Sequence, residues 1–375
     1  MKVPRPLLHS LTGLRFLAAL HVVVFHLGFS RLEDTPDMLG RFIDQGEVAV
    51  SLFFVLSGFV LTYRYAGIEV TPLTRRRFLV ARVARVYPLY LLGLLAALPW
   101  YVQGANEQLA AVLAAGVLVI IGLQAWLPNA ALAWNFPSWS LSNEAFFYAI
   151  YLRVLKAFQD RSRGWLMGAV AFLWAIGQIP PLIRGLLRLE GALWSNLVSY
   201  FPLFRLPEFL IGVAVGVLFM RDPGINVARR ATTFSLIGAA SSLVVAFGVS
   251  GLPTLLTDSK AFLGPAFALL TYGLALGAGP LNRALRHPVS VTLGDASYAM
   301  YLLHVPVARL SLTVATRAGI DDPLRSWGFL LLVTVVVIMV ALPIHRYFEK
   351  PARRIVGNWG KSLELRSTEP APQVE

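Results

Sequence analysis

Residues 11–29, LTGLRFLAALHVVVFHLGF, form an almost unbroken apolar run of the length that carries one α-helix across a bilayer. Three ionisable groups interrupt it: Arg15, His21 and His26. Arg15 and His26 are eleven residues apart, three helical turns plus about 20°, so they share one face at a separation of about 16 Å along the axis. Ala18, Ala19, Val22 and Val23 lie between them on that face and are slim enough to leave a slot open, whereas His21 falls on the other side. An intramembrane cation and an imidazole lining one slot mark a functional site by default. The competing reading has Arg15 snorkelling to a headgroup and His26 making a polar contact at the surface.

Runs of similar length recur at 46–63, 78–98, 140–157, 165–183, 200–220, 231–250, 261–279, 289–312 and 327–345, in a chain that is 57% apolar and only 14% charged. This composition specifies a polytopic membrane protein. A cleavable signal peptide is not expected, because the first run carries Arg15 and two histidines and no small-residue cleavage pattern follows. The absence of cysteine excludes thiolate nucleophiles, thiolate metal sites and disulfides, and six scattered histidines without a His-x-x-x-His pair make a metal site an unfavoured expectation.

The net charge of +13 is read first as topology. An additional apolar run at 109–127 decides the count, because treating it as a span inverts everything downstream. Treating it as re-entrant or interfacial places 23 of the 33 Lys and Arg residues on the cytoplasmic side, Lys2, Arg5 and Arg75 to Arg77 among them, against eight outside. The expectation is therefore an all-α, polytopic transmembrane bundle of about ten spans with both termini cytoplasmic. No linker or internal repeat divides it. Residues 1–357 are expected to form one membrane domain without a fused extracytoplasmic domain, and 358–375 a disordered cytoplasmic tail. The stretch 99–138, rich in Trp, Pro, Asn and Gly, is expected to line a cavity, the setting in which irregular backbone survives at membrane depth. The basic excess then reports orientation in the lipid bilayer rather than a nucleic-acid surface.

Further polar groups interrupt the apolar pattern. Arg82 and Arg85 share a face at the cytoplasmic entrance of the third run, and paired guanidiniums suit phosphates; a lipid-headgroup anchor is the alternative, preferred for Arg75 to Arg77. Ser140, Glu144, Tyr148 and Tyr151 form a stripe at i, i+4, i+8 and i+11, preceded by Trp139 and accompanied by Ser142 and Asn143. Helix-start capping explains part of this stripe, and a carboxylate on it is also able to orient a histidine or hold sugar hydroxyls. Arg205 and Glu208, with Gly212 beyond them, read as an intrahelical ion pair beside a close helix contact. Ser297, Tyr301 and His304 share one face, where a buried histidine is more often structural than catalytic.

Taken in order, these features resemble the acyltransferase-3 family of integral membrane acyltransferases, which O-acetylate bacterial surface polysaccharides and related glycosides. The resemblance rests on Arg15-x10-His26, Gly58 within Phe53-Phe54-Val55-Leu56-Ser57-Gly58-Phe59, Arg82-x-x-Arg85, Trp139-Ser140-Leu141-Ser142 with Glu144, Arg205 to Phe209, Ser297-Tyr298 through His304, and Phe348-Glu349-Lys350-Pro351. Asn143 and Ala145 flank Glu144 where many members read Val-Glu-Glu, so a second acid is missing. The resemblance implies an O-acyltransferase of the bacterial cytoplasmic (inner) membrane that moves an acyl group, acetyl first among the candidates, from cytoplasmic acyl-CoA to a hydroxyl of a carbohydrate or glycoside. Joined to the residue reading, it implies that Arg82 and Arg85 hold the CoA phosphates, Arg15 contacts the donor, His26 acts as general base, and Glu144 orients His26 or binds the acceptor. Ser140, Ser142, Tyr148, Tyr301 and His304 are then acceptor contacts. A proton-coupled transporter or flippase using Arg15, His26, Glu144 and His304 as a relay is the alternative from another class. An acyl-enzyme on His26 or a serine stays open, as do acyl chain length and oligomeric state.

Overall fold

The computed structural model describes residues 6–29, 35–104, 109–222, 224–248 and 260–368, and the described residues contain helices and connecting turns but no strand. Lys2, Arg5 and the tail residues 369–375, which entered the topology and tail expectations, lie outside them. The opening run becomes α1 (His9–Leu27), closed by Gly28 with φ 81°, a left-handed cap that glycine adopts without strain. Then come α2 (Asp37–Asp44), α3 (Val48–Tyr65) and α4 (Pro72–Gln103), the last started by the Thr71 hydroxyl accepting from the Thr74 amide at 3.1 Å and by Pro72 at its first position. At 32 residues, α4 is about 48 Å long, so its arginine-rich first turns extend past a hydrocarbon core of about 30 Å.

The run 109–127 is α-helical over only its first part. Its helix, α5 (Leu109–Ile120), has 12 residues, about 18 Å, and the chain then turns through 121–138 into α6 (Trp139–Gln159). The remainder comprises α7 (Arg163–Gly177), α8 (Ile179–Leu186), α9 (Ala192–Tyr200), α10 (Pro202–Met220), α11 (Val227–Gly248), α12 (Gly264–Ala275), α13 (Pro280–Leu285), α14 (Pro288–Asp295), α15 (Ser297–Arg317), α16 (Trp327–Ile344) and α17 (Lys350–Thr368). A π turn, His345–Glu349, joins the last two, and α17 runs on to Thr368.

Seven stretches among the described residues are long and apolar enough to cross a membrane: His9–Leu27, Asp37–Tyr65, Pro72–Gln103, Arg163–Leu186, Ala192–Met220, Ser297–Arg317 and Trp327–Trp359. The span expected over 289–312 is two helices, broken at Ala296 between α14 and α15. That over 261–279 is only 12 helical residues in α12.

The bundle is tightest where α3 crosses α10. A Cβ on Gly58 would run into the Phe209 carbonyl, and one on Gly212 into the Val55 carbonyl, so the backbones touch where both residues lack side chains. Beside this crossing, Phe147 of α6 stacks on Phe209 at 4.9 Å and meets Phe54 edge-on at 5.2 Å, tying the three helices together. Substituting Gly212→Ala is expected to destabilise the detergent-solubilised protein by about 1–3 kcal/mol, read as a lowered thermal midpoint. Gly168→Ala on α7, where a Cβ meets nothing within 4 Å, is expected to be neutral or slightly stabilising.

Candidate functional site

At one end of the bundle, Arg82 is buried at 7% exposure against the faces of Phe78 (5.6 Å) and Tyr148 (5.9 Å). Its Nε is buried without a hydrogen-bond partner among the described residues. Arg85 and Arg64 bear on it electrostatically, and the same three arginines surround Arg353 of α17. Arg15 of α1 faces Arg85 first, then Glu349, Glu144 and Asp295. Five guanidiniums from α1, α3, α4 and α17 thus converge, grading from exposed Arg64 and Arg353 to buried Arg82. The carboxylates of Glu144 and Glu349 answer them. Glu349 also receives a hydrogen bond from His345 Nδ1 at 2.7 Å, across the π turn. Such an excess of cation, partly out of water, fits a polyanion.

From this cluster a column of polar groups runs along α6 and α15. The Tyr148 hydroxyl donates to Glu144 Oε2 at 2.8 Å, and Glu144 lies within the field of Arg85, Arg15 and Arg82. On α15, Tyr298 donates to the Val86 carbonyl at 2.8 Å. One turn on, the Tyr301 hydroxyl donates to the Pro137 carbonyl at 2.8 Å and meets Ser140 Oγ at 2.9 Å. One further turn brings His304, fully buried, whose Nδ1 lies 2.7 Å from the Tyr301 carbonyl and whose Nε2 lies 2.9 Å from His26 Nδ1. The column therefore climbs about 9 Å along α15 and ends on half-buried His26.

The wall beside His26 comes from the irregular segment 121–138. Pro306 has no amide hydrogen, which frees the carbonyl of Leu302 four residues earlier, and Asn135 Nδ2 donates to that oxygen at 2.9 Å. The adjacent Phe136 then packs edge-on against His26 at 4.8 Å.

Several expected placements change. The slot between Arg15 and His26 is closed on its expected face: Ala18 is 5% exposed and Ala19, Val22 and Val23 are 0%, because α1 packs that face against its neighbours. Glu144 joins Arg15, Arg82, Arg85 and Tyr148 rather than His26. The start of α6 is packed by protein, Trp139 and Ser140 being 4% and 5% exposed. His304 has both ring nitrogens engaged and reaches no open space, so it touches His26 and not an acceptor. Ser140 and Tyr301 are bonded to each other. Ser142 is buried with its hydroxyl unpartnered, as is the whole Asn143 amide, and neither joins the column. Arg205 and Glu208 pair at 3.2 Å as expected, with Arg205 Nη2 donating to Ser51 at 3.0 Å and its guanidinium over Phe54 and Trp139.

Arg353, Arg64 and His345 were not singled out as site residues from sequence, and Tyr298 appeared only within the Ser297-Tyr298 motif. The signal available was the i, i+4 recurrence of His345, Glu349 and Arg353, which puts an imidazole, a carboxylate and a guanidinium on one face. Among the described residues no group of His, Asp and Glu is arranged to hold a metal ion.

Residues 8–346 match the family described as an acyltransferase domain. The chain is similar to acyltransferase MdmB of Streptomyces mycarofaciens, with 30% identity over 378 residues covering 93% of this chain and 92% of that protein. It is similar to exopolysaccharide production protein ExoZ of Rhizobium meliloti (strain 1021), with 26% identity over 84% of this chain and 92% of the relative. A third relative is YrhL of Bacillus subtilis (strain 168), provisionally named a peptidoglycan O-acetyltransferase, at 27% identity over 92% of this chain and 54% of its own length. No solved structure matches.

The Arg205–Glu208 pair is 3% and 0% exposed, so removing one partner strands the other charge. Arg205→Ala is expected to cost about 3–5 kcal/mol, read as loss of monodisperse protein or a strongly lowered thermal midpoint, while the double replacement Arg205→Met with Glu208→Leu should recover part of the loss.

Proposed function

This chain belongs to the acyltransferase-3 family of membrane acyltransferases, and from that premise we propose that it transfers an acetyl group from cytoplasmic acetyl-CoA to a hydroxyl of a carbohydrate or glycoside. The observation that carries the reading is the polar column itself, which joins a convergence of five arginines at one end to a half-buried imidazole at the other. The relatives ExoZ and YrhL, named for exopolysaccharide production and peptidoglycan O-acetylation, favour a glycan acceptor.

In this scheme Arg82 and Arg85 hold the CoA phosphates, Arg64 and Arg353 extend the cradle to the rim, and Arg15 contacts the donor from α1. Arg15 and His26 stand about 16 Å apart along α1, a length that an extended pantetheine arm is able to span, by a route other than the packed face of Ala18, Ala19, Val22 and Val23. The thioester carbonyl is thereby brought to His26, whose Nε2 takes the proton of the acceptor hydroxyl as oxygen attacks the carbonyl carbon. Collapse of the adduct breaks the carbon–sulfur bond, and the proton passes to the departing thiolate, leaving an ester and free CoA. Glu144, held by Tyr148, belongs to the donor half, where it limits repulsion among Arg15, Arg82 and Arg85 and fixes their spacing. Ser140 and Tyr301 lie between the donor half and the histidine pair.

The topology proposed with it leaves α5 non-crossing and turns the arginine end towards the cytoplasm of a bacterial inner-membrane protein; the ten-span count expected from sequence is not kept, because 261–279 holds a helix no longer than α5. This topology is supported by α5, whose 12 residues are too few to cross, and by the basic excess on the arginine side. Because the chain has no cysteine, a single Asn129→Cys substitution reports this directly. Labelling by an impermeant maleimide is expected in intact spheroplasts, and labelling only after lysis would invert the downstream half.

Purified protein given radiolabelled acetyl-CoA and a glycan acceptor should transfer label. His26→Ala is expected to lower turnover by about 10²–10⁴-fold with donor binding retained. Arg82→Ala and Arg353→Ala should each raise the KM for acetyl-CoA by roughly 10-fold or more, leaving that for the acceptor unchanged, since a charge-assisted phosphate contact contributes about 1.5–3 kcal/mol. An unchanged donor KM in both would return the cluster to a headgroup anchor.

A further inference from the structure

The hydrogen bonds around His304 constrain where protons sit on the two imidazoles. Its Nδ1 faces the Tyr301 carbonyl at 2.7 Å, and a carbonyl oxygen accepts only, so Nδ1 carries a hydrogen. In the neutral ring Nε2 is then a lone pair. That lone pair lies 2.9 Å from His26 Nδ1, so the hydrogen of this contact belongs to His26. A neutral His26 with hydrogen on Nδ1 has its own lone pair on Nε2. The Tyr301 carbonyl thus specifies, through two rings, which nitrogen of His26 is basic.

Burial sets the direction of this relay. His304 is 0% exposed, enclosed by α15 itself, α1 and the Phe136 wall, and both its nitrogens are committed within the protein. His26 is half-buried and retains one nitrogen for chemistry. Of the two imidazoles, only His26 has a nitrogen available to a substrate.

We propose that His304 is a positioning residue, which receives the Nδ1 hydrogen of His26, holds the His26 ring in the tautomer whose Nε2 is the base, and stabilises the imidazolium formed when that nitrogen takes the acceptor proton. The proposal rests on the reading of His26 as general base. The same function is served elsewhere by a carboxylate behind a catalytic imidazole; here a neutral ring serves it, which avoids placing an anion in an apolar part of the bundle.

The test compares His304→Leu, which removes the acceptor while filling space, with His304→Gln, whose side-chain carbonyl accepts from His26 Nδ1. Turnover with saturating acetyl-CoA and glycan should fall by 10²-fold or more in His304→Leu, with the donor KM unchanged and the protein monodisperse, and His304→Gln should regain at least 10-fold of that loss. Nitrogen-15 spectra of ring-labelled protein supply the second readout. The resonance that His26→Gln removes should report a hydrogen on Nδ1 in wild type and in His304→Gln, and a tautomer mixture in His304→Leu. Equal losses in both variants with an unchanged His26 spectrum would make His304 a packing residue and overturn the proposal, as would full activity in His304→Leu. If instead His26→Ala itself turned over normally, the general-base reading would fall and this inference with it.

Discussion

A guanidinium at membrane depth persists only where other polar groups reach it, because hydrocarbon offers neither water nor counter-ion. Arg15 imposes that condition on its neighbourhood from the second turn of α1. Glu144 from α6, Glu349 from the π turn and Asp295 at the end of α14 are all drawn into its field. Those helices must therefore present their polar residues at one level. Once they do, Tyr148 beside Glu144 and Tyr298 beside both carboxylates follow, and the next polar layer is built on them. The carboxylates do not balance the arginines that also converge there, and mutual repulsion among Arg82, Arg85, Arg64 and Arg353 is the cost of keeping a place for an anion. A protein using these arginines only to anchor its cytoplasmic face would have no reason to bury one of them.

What the sequence made legible was whatever lies within one helix. The shared face of Arg15 and His26, the i, i+3 pair of Arg205 and Glu208, and the small residue Gly212 beside that pair follow from a period of 3.6 residues and side-chain size, and each is present in the fold. What it did not make legible was which helices bring their stripes together and at what depth. Depth was the more damaging gap. Glu144 was expected to orient His26 or bind the acceptor, but the level at which α6 packs brings its carboxylate to Tyr148 and into the field of Arg85, Arg15 and Arg82. The partner of His26 was unreadable for a related reason, since a 278-residue separation to His304 leaves no local pattern. The breaks at Ala296 and Ile120 were also hidden, because hydropathy averages across a turn that interrupts hydrogen bonding but not apolarity.

Backbone defects have a constructive part in this arrangement. A proline within a helix normally leaves a carbonyl without its partner, a costly vacancy in hydrocarbon. At Pro306 that carbonyl, on Leu302, becomes the attachment point for Asn135, and the irregular segment is thereby fixed to the helix bearing His304. Gln124, fully buried, secures the other side of the segment by donating to the Ser138 carbonyl at 3.0 Å. Non-helical chain at membrane depth is stabilised by the same unsatisfied groups that make helices there expensive to interrupt. The product is an apolar wall, Phe136, set against His26, the member of the histidine pair with an uncommitted nitrogen among the described residues.

The two ends of the column are carried by the same elements, and this has a mechanistic consequence. Arg15 and His26 share α1, while Tyr298 and His304 share α15, so the separation between the arginine cluster and the histidine pair is set by helical rise and does not depend on loop geometry. In the proposed mechanism, a donor gripped by its phosphates at one end is delivered to the other at a fixed reach. Binding energy gained far from the reacting bond becomes positional accuracy at that bond, which is the form in which remote contacts raise turnover instead of merely tightening binding. The closed face of Ala19, Val22 and Val23 serves the same end, because a bundle that packed loosely between the two sites would let that reach vary. On this reading the apolar middle of α1 is as much a part of the acyltransferase as the charged residues at its ends: it holds the distance over which the donor must extend.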